Sequence, residues 1–108
     1  MKYIILVDET RARTPFFTAG MVSHAQLARM LTFAMPAAKV VSAGFIELTT
    51  CEDGRVHART FGRSESLGLG PGFDDADIIS CLCTAALHSA RHLETIPSKP
   101  CLAATAFK

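Results

Sequence analysis

The sequence predicts a single small α+β domain with the element order β-α-β-β-α. In it, a three-stranded, mainly antiparallel sheet carries two helices packed on one face. Three observations predict this class: a short apolar run near residue 1, a hairpin pattern in the middle, and an amphipathic helical pattern after it. The chain has 108 residues, of which 49% are apolar. That length suits one core, so we assign residues 1–96 to the domain and residues 97–108 to a C-terminal tail, either an edge strand or disordered.

The first strand and the first helix have clear boundary signals. The apolar, β-rich run Lys2 to Val7 predicts the strand, and the polar stretch behind it ends at Pro15. Ser23 followed three residues later by Gln26 is a capping box, which predicts a helix that begins at residue 24. Pro36 ends this helix after about three turns.

The middle of the chain predicts a β-hairpin formed by Lys39 to Thr50 and Arg55 to Phe61. A two-residue loop and a three-residue loop are both possible, and they give different registers. The three-residue loop, with Gly54 in a left-handed conformation, separates apolar from polar side chains better. It pairs Phe45 with Phe61, Glu47 with Arg59 and Leu48 with Ala58. It assigns Val40, Ile46, Leu48, Val56 and Ala58 to the covered face, and Glu47, Thr49, Arg55, His57 and Arg59 to the solvated face.

The second helix is predicted to begin at Asp74 or Asp75 and to run to about Arg91. Apolar residues recur there at helical spacing, and the acidic start and basic end suit the helix dipole. Between the hairpin and this helix, the glycine-rich segment Gly62 to Gly72 predicts an extended arm or a loop.

Composition makes several classes of function improbable. The formal net charge is only +1, and the chain has one tyrosine and no tryptophan, which disfavours binding to nucleic acid. No apolar run is long enough for a membrane helix, and Tyr3 to Val7 is too short for a secretory signal. The four cysteines form no CxxC pair, which favours reduced thiols. We therefore expect a soluble, cytoplasmic protein that binds no membrane.

The candidate ligands for a metal or a catalytic centre are incomplete. His88 and His92 are four residues apart on the second helix, the spacing of a chelating pair, but the helix offers no third ligand in reach. Cys51 and His57 are the nearest thiol and imidazole along the chain, yet the preferred register does not make them face each other. We expect no catalytic residue, no cofactor and no metal needed for folding.

The alternative hypothesis is a small ligand-binding or anion-binding protein, or an enzyme, that uses the loop after the hairpin. Arg63, Ser64 and Ser66 could donate hydrogen bonds to an anion beside the start of the second helix. The segment lacks the order of a phosphate-binding loop, and acidic residues crowd that helix start. The acidic residues are Asp74, Asp75 and Asp77.

The preferred hypothesis is a non-catalytic protein-binding or assembly module. The chain is more apolar than its size requires, and such a surplus often meets a partner. In the preferred register Phe45 and Phe61 are cross-strand neighbours on the solvated face, beside His57 and Arg59. We expect these two rings to have no cover within the chain, and we predict a homodimer formed through the sheet. The alternative is a monomer in which the Phe16/Phe17 segment or the Cys101 to Phe107 tail covers the pair.

Three segments together resemble a known group of sequences. They are VSAGF at residues 41–45, FGRSESLGL at residues 61–69 and HAQLAR at residues 24–29. This combination is similar to that of short proteins encoded by bacterial and prophage genomes, to which no activity is assigned. The resemblance covers about residues 20 to 80. It implies a bacterial or phage context and no mechanism.

Overall fold

A computed structural model describes the backbone of residues 1–94 and the side chains of residues 1–90. The α+β class is confirmed, but the predicted sheet of three strands was wrong, because a four-stranded antiparallel sheet is present. Its strand order is β2-β1-β3-β4. The predicted tail at residues 97–108 lies outside the described residues. The elements are β1 (Lys2–Val7), β2 (Arg13–Thr18), α1 (His24–Ala34), β3 (Lys39–Thr50), β4 (Val56–Phe61) and α2 (Asp75–Glu94).

The additional strand is β2, which pairs with β1 through a tight turn. The Asp8 carboxylate accepts hydrogen bonds from the N–H groups of Thr10 and Ala12, at 2.8 and 3.2 Å, and Arg11 has a φ of +66°. Within β2, Pro15 lies opposite Ile5. A proline is tolerated in an edge strand, although it is a breaker signal in the sequence. The sequence did not predict β2, because the polar turn and this proline both indicate a loop.

The two helices pack on opposite faces of the sheet, so the prediction of one shared face was wrong. On one face, Ile4 and Leu6 pack with Leu27 of α1. On the other, Tyr3 and Ile5 pack with Ile79 of α2. A continuous apolar run such as that of β1 is typical of a strand buried on both sides.

The β3–β4 hairpin has the predicted register. Phe45 pairs with Phe61 and Glu47 pairs with Arg59. The three-residue loop closes through a hydrogen bond of 2.7 Å from Cys51 N to Arg55 O, and Gly54 has the expected left-handed φ of +88°. Leu48 pairs with Ala58, as this register also requires.

One residue of the hairpin lies on the face opposite to its predicted one. Val40 belongs to the core under α1, whereas Ile46 belongs to the core under α2. The cause is an irregularity in the pairing of β1 with β3. Ile5 pairs with Ser42, but Leu6 pairs with Val40, which leaves one extra residue in β3. Such a bulge moves the preceding side chains of that strand to the opposite face.

The start of α2 is fixed to β1 by buried hydrogen bonds. Tyr3 Oη donates to Asp75 Oδ2 at 2.7 Å, and the N–H of Gly72 donates to the same oxygen at 2.7 Å. A Cβ atom on residue 72 would lie 2.8 Å from Asp75 Oδ1, and glycine avoids that contact. Arg13 of β2 forms an ion pair with Asp74 beside this point. Neither of the two helices within residues 1–94 is long and apolar enough to cross a membrane.

The edge of β4 is closed by side chains of α2. Ser80 Oγ accepts a hydrogen bond from Ala58 N, and Thr84 Oγ1 accepts one from Val56 N, each at 2.9 Å. These hydroxyl groups occupy the places that another strand would take. An added strand cannot pair with this part of β4 while α2 is in place.

The opposite edge, β2, is interrupted at its middle. Met1 and Ile46 exchange backbone hydrogen bonds, at 2.8 and 3.4 Å, so the backbone groups of Met1 point to β3. Backbone groups alternate in direction along a strand, so the odd-numbered residues of β1 point to β3 and the even-numbered residues point to β2. The backbone N–H and C=O of Ile5 therefore point to β3. Pro15 lies opposite Ile5, so the backbone groups of Pro15 point away from β1 toward the free edge. Because proline has no backbone N–H, the middle of this edge cannot donate a hydrogen bond to an added strand.

Candidate functional site

Two phenylalanine rings form an exposed stack on the face that carries α1. The ring centroids of Phe45 and Phe61 are 5.9 Å apart, and the ring planes are inclined by 24°. The guanidinium of Arg59 lies 4.8 Å from the centroid of Phe61, in a cation-π contact, and it also pairs with Glu47 at 3.3 Å. Phe61 is 40% exposed. We call Phe45, Glu47, Arg59 and Phe61 the aromatic surface.

His24 covers part of this surface, which corrects the expectation that both rings lack cover within the chain. The His24 ring meets Phe45 edge-on at a centroid distance of 5.3 Å, and His24 Nε2 is 2.7 Å from Gly44 O. His24 is buried because it is the first residue of α1, which the Ser23 capping box directs onto the sheet. Phe45 is consequently half-buried, and Phe61 remains exposed.

The predicted anion loop has a largely structural role. Ser64 is fully buried, accepts a hydrogen bond from Leu67 N at 3.1 Å and pairs through its backbone with Leu69. Ser66 Oγ accepts a hydrogen bond from Ala25 N at 3.2 Å and so completes the N-terminus of α1. Of the three residues proposed to hold an anion, Arg63 alone makes none of these contacts.

Arg63 lines an open cavity of about 560 Å³ beside the aromatic surface. His24 and Phe45 line the same cavity, so the structure brings together residues from α1, β3 and the loop after β4. Its charged lining residues have both signs. The complete lining consists of Lys2, Ser23, His24, Phe45, Gly62, Arg63, Glu65 and Ser66.

A second cavity, of about 730 Å³, lies between the hairpin and α2. Cys51 and His57 line it together with Cys81 and His88, although the sequence did not predict that the first pair would share a site. Within the side chains that the structure describes, no three histidine, cysteine or acidic groups are arranged to hold a metal ion. The side chain of His92, the proposed second member of the chelating pair, lies outside the described residues.

Burial raises the pKa of the Cys83 thiol, because the charged form would lose its hydration. Cys83 packs against the core under α2. A raised pKa disfavours the thiolate, which is the nucleophilic form. Cys83 is therefore a packing residue.

Sequence reasoning identified the aromatic pair, Arg59 and Arg63, but it did not assign His24 to the site. The sequence did contain a signal for His24. A histidine directly after an N-cap residue lies on the first turn of a helix, where its side chain can reach the sheet. His57 lies opposite Thr49 in the register, on the face of the aromatic surface, but it lines the other cavity. Comparisons with protein-family models, with curated proteins and with solved structures find no match for the chain.

Proposed function

We propose that this chain is a non-catalytic protein-binding or assembly module whose contact site is the aromatic surface. The observation that carries the proposal is the exposed Phe61 ring, which stacks with Phe45 and contacts the guanidinium of Arg59. Aromatic residues and arginine are the residue types enriched where interfaces gain most of their binding free energy. A ring that is already ordered loses little conformational entropy when a partner covers it.

The closed sheet edges support contact through a face. Ser80 and Thr84 occupy the edge of β4, and Pro15 interrupts the edge of β2. Binding by strand addition would first require these groups to move. The aromatic surface needs no such rearrangement, because its exposed side chains already point away from the sheet.

The proposal includes a bacterial or phage context and a cytoplasmic location. The context follows from the resemblance of residues 24–29, 41–45 and 61–69 described above. Within the described side chains, Cys51, Cys81 and Cys83 are free thiols, which suits a reducing compartment.

The test compares two exposed phenylalanines in extracts of the source cells. The tagged wild-type chain should elute in size-exclusion chromatography above the mass of one chain, and Phe61→Ser should elute at that mass. Phe33→Ser is the matched control, because Phe33 is 88% exposed on α1 and does not belong to the aromatic surface. Phe33→Ser should elute like the wild type. A wild-type chain that elutes as a single chain would contradict the proposal.

A second candidate function is the binding of a small anionic ligand in the cavity beside the aromatic surface. The favourable observation is that Arg63 and Lys2 line this cavity together with His24. Glu65 in the same lining opposes an anion, and Ser64 is fully buried and does not line the cavity. Calorimetric titration with inorganic phosphate tests it: binding that Arg63→Ala abolishes would support this candidate, and absence of heat would exclude phosphate as its ligand.

A further inference from the structure

From the register and the charges of the aromatic surface, we infer that its partner is a second copy of the same chain, packed face to face about a two-fold axis. This inference rests on the proposed function and names the partner. A two-fold contact buries the same patch on both copies, so the patch must be complementary to itself. The cross-strand register and the charges of the aromatic surface meet that condition.

The cross-strand pairs define the geometry of the contact. Phe45 lies directly opposite Phe61, and Glu47 lies directly opposite Arg59. Consider a two-fold axis parallel to the strands and midway between β3 and β4. The two-fold rotation places β3 of one copy over β4 of the other. Each residue therefore lies against the residue of the second copy that corresponds to its own cross-strand partner. Phe61 then meets Phe45, and Arg59 meets Glu47.

The charges on this surface favour such a contact. Arg59 and Glu47 are an exposed pair, with side chains 57% and 61% accessible, and each retains capacity for a further hydrogen bond. In the two-fold contact these side chains form a cluster of two positive and two negative groups around four rings. A network of alternating charges is more favourable than an isolated surface pair.

The position of α1 leaves room for the second copy. Leu27 and Ala28 of α1 pack with Ile4 and Leu6 of β1, so the helix occupies the β1 side of this face. The rotation sets the second α1 on the opposite side, beyond β4. The two helices would then flank the contact.

The test uses two charge reversals, each of which should weaken dimerisation when it is present alone, whereas a mixture of the two variants should form a dimer. By sedimentation equilibrium from about 10 µM to about 1 mM, the wild type should dimerise, and Arg59→Glu and Glu47→Arg should each dimerise roughly tenfold to a hundredfold more weakly. An equimolar mixture of the two variants should form a heterodimer, since both charge pairs are then opposite in sign. The double variant Glu47→Arg/Arg59→Glu should dimerise like the wild type.

Circular dichroism and thermal melting establish that each variant is folded. If a single reversal does not fold, Phe61→Ser supplies a second test, because it should be monomeric at concentrations where the wild type is dimeric. A monomeric wild type over the whole concentration range would overturn the inference. So would single reversals that leave the dimer unchanged, or a mixture of the two single variants that stays monomeric. If the pure wild type is monomeric while the chain in extracts belongs to a larger assembly, the second-copy inference fails and the proposed function stands.

Discussion

The buried hydrogen bond between Tyr3 and Asp75 makes the stability of the fold depend on pH above pH 10. Burial raises the pKa of Tyr3 above its ordinary value of 10.0, and the hydrogen bond to the Asp75 carboxylate raises it further. The folded state therefore holds the phenol proton more tightly than the unfolded state does. This contribution is fully present below pH 10 and decreases as the pH rises above it.

The magnitude follows from proton linkage. Above the unfolded pKa, the free energy of unfolding falls by about 1.4 kcal/mol for each pH unit. Tyr3→Phe removes both the titrating group and a hydrogen bond to a buried carboxylate, at a cost of about 1.5 to 3 kcal/mol near neutral pH. The difference in stability between the wild type and Tyr3→Phe should shrink between about pH 10 and pH 12.

The assay is specific because Tyr3 is the only tyrosine and the chain has no tryptophan. Ultraviolet absorbance of the tyrosinate thus reports the ionisation of one group, and circular dichroism follows the fold in the same sample. We expect tyrosinate to form only as the protein unfolds. Titration of Tyr3 near pH 10.0 with the fold intact would refute the buried hydrogen bond.

Other predictions concern the sheet edge, a glycine, the cavity and metals. Ser80→Ala with Thr84→Val should lower the free energy of unfolding by about 2 kcal/mol in urea denaturation and speed amide exchange at the β4 edge, because two N–H groups lose their acceptors; unchanged exchange would contradict this. Gly72→Ala should destabilise by about 1 to 3 kcal/mol through its clash with a buried carboxylate, whereas Gly70→Ala should be nearly neutral, because a Cβ atom there would make only an ordinary contact of 3.8 Å with Arg63 Cβ. Arg63→Ala should melt within about 0.5 kcal/mol of the wild type, and a much larger loss would make Arg63 structural. A strong chelator should not lower the melting temperature, and a large fall would reveal a structural metal.

The elements that the sequence predicts correctly are those specified by local signals. The Ser23 capping box determines the start of α1, and the three-residue loop with Gly54 determines the register of the hairpin. The pairing of Phe45 with Phe61 follows from that register without further information. The β3–β4 part of the site was therefore predictable, because turn chemistry and side-chain alternation specify it.

The features that were missed depend on contacts between distant residues. A proline usually ends a strand. Pro15 is accommodated within β2 because β2 is the edge strand beside β1. The bulge that moves Val40 to the other face has no marker in the sequence. Ser64 and Ser66 accept hydrogen bonds from the backbone of their own loop and of α1, and nothing in the local sequence predicts these contacts. In each case, local chemistry permits two roles, and packing selects one.

The measurement that tests the binding role of the aromatic surface most directly is site-specific photo-crosslinking in source cells. p-Benzoylphenylalanine at position 61 retains an aromatic ring in the surface, and the same residue at position 73 is the control, since Phe73 is 98% exposed next to α2. Position 61 should give one discrete adduct, of twice the chain mass if the partner is a second copy, and position 73 should give none. Absence of an adduct at position 61, or equal adducts at both positions, would contradict a binding role for the aromatic surface.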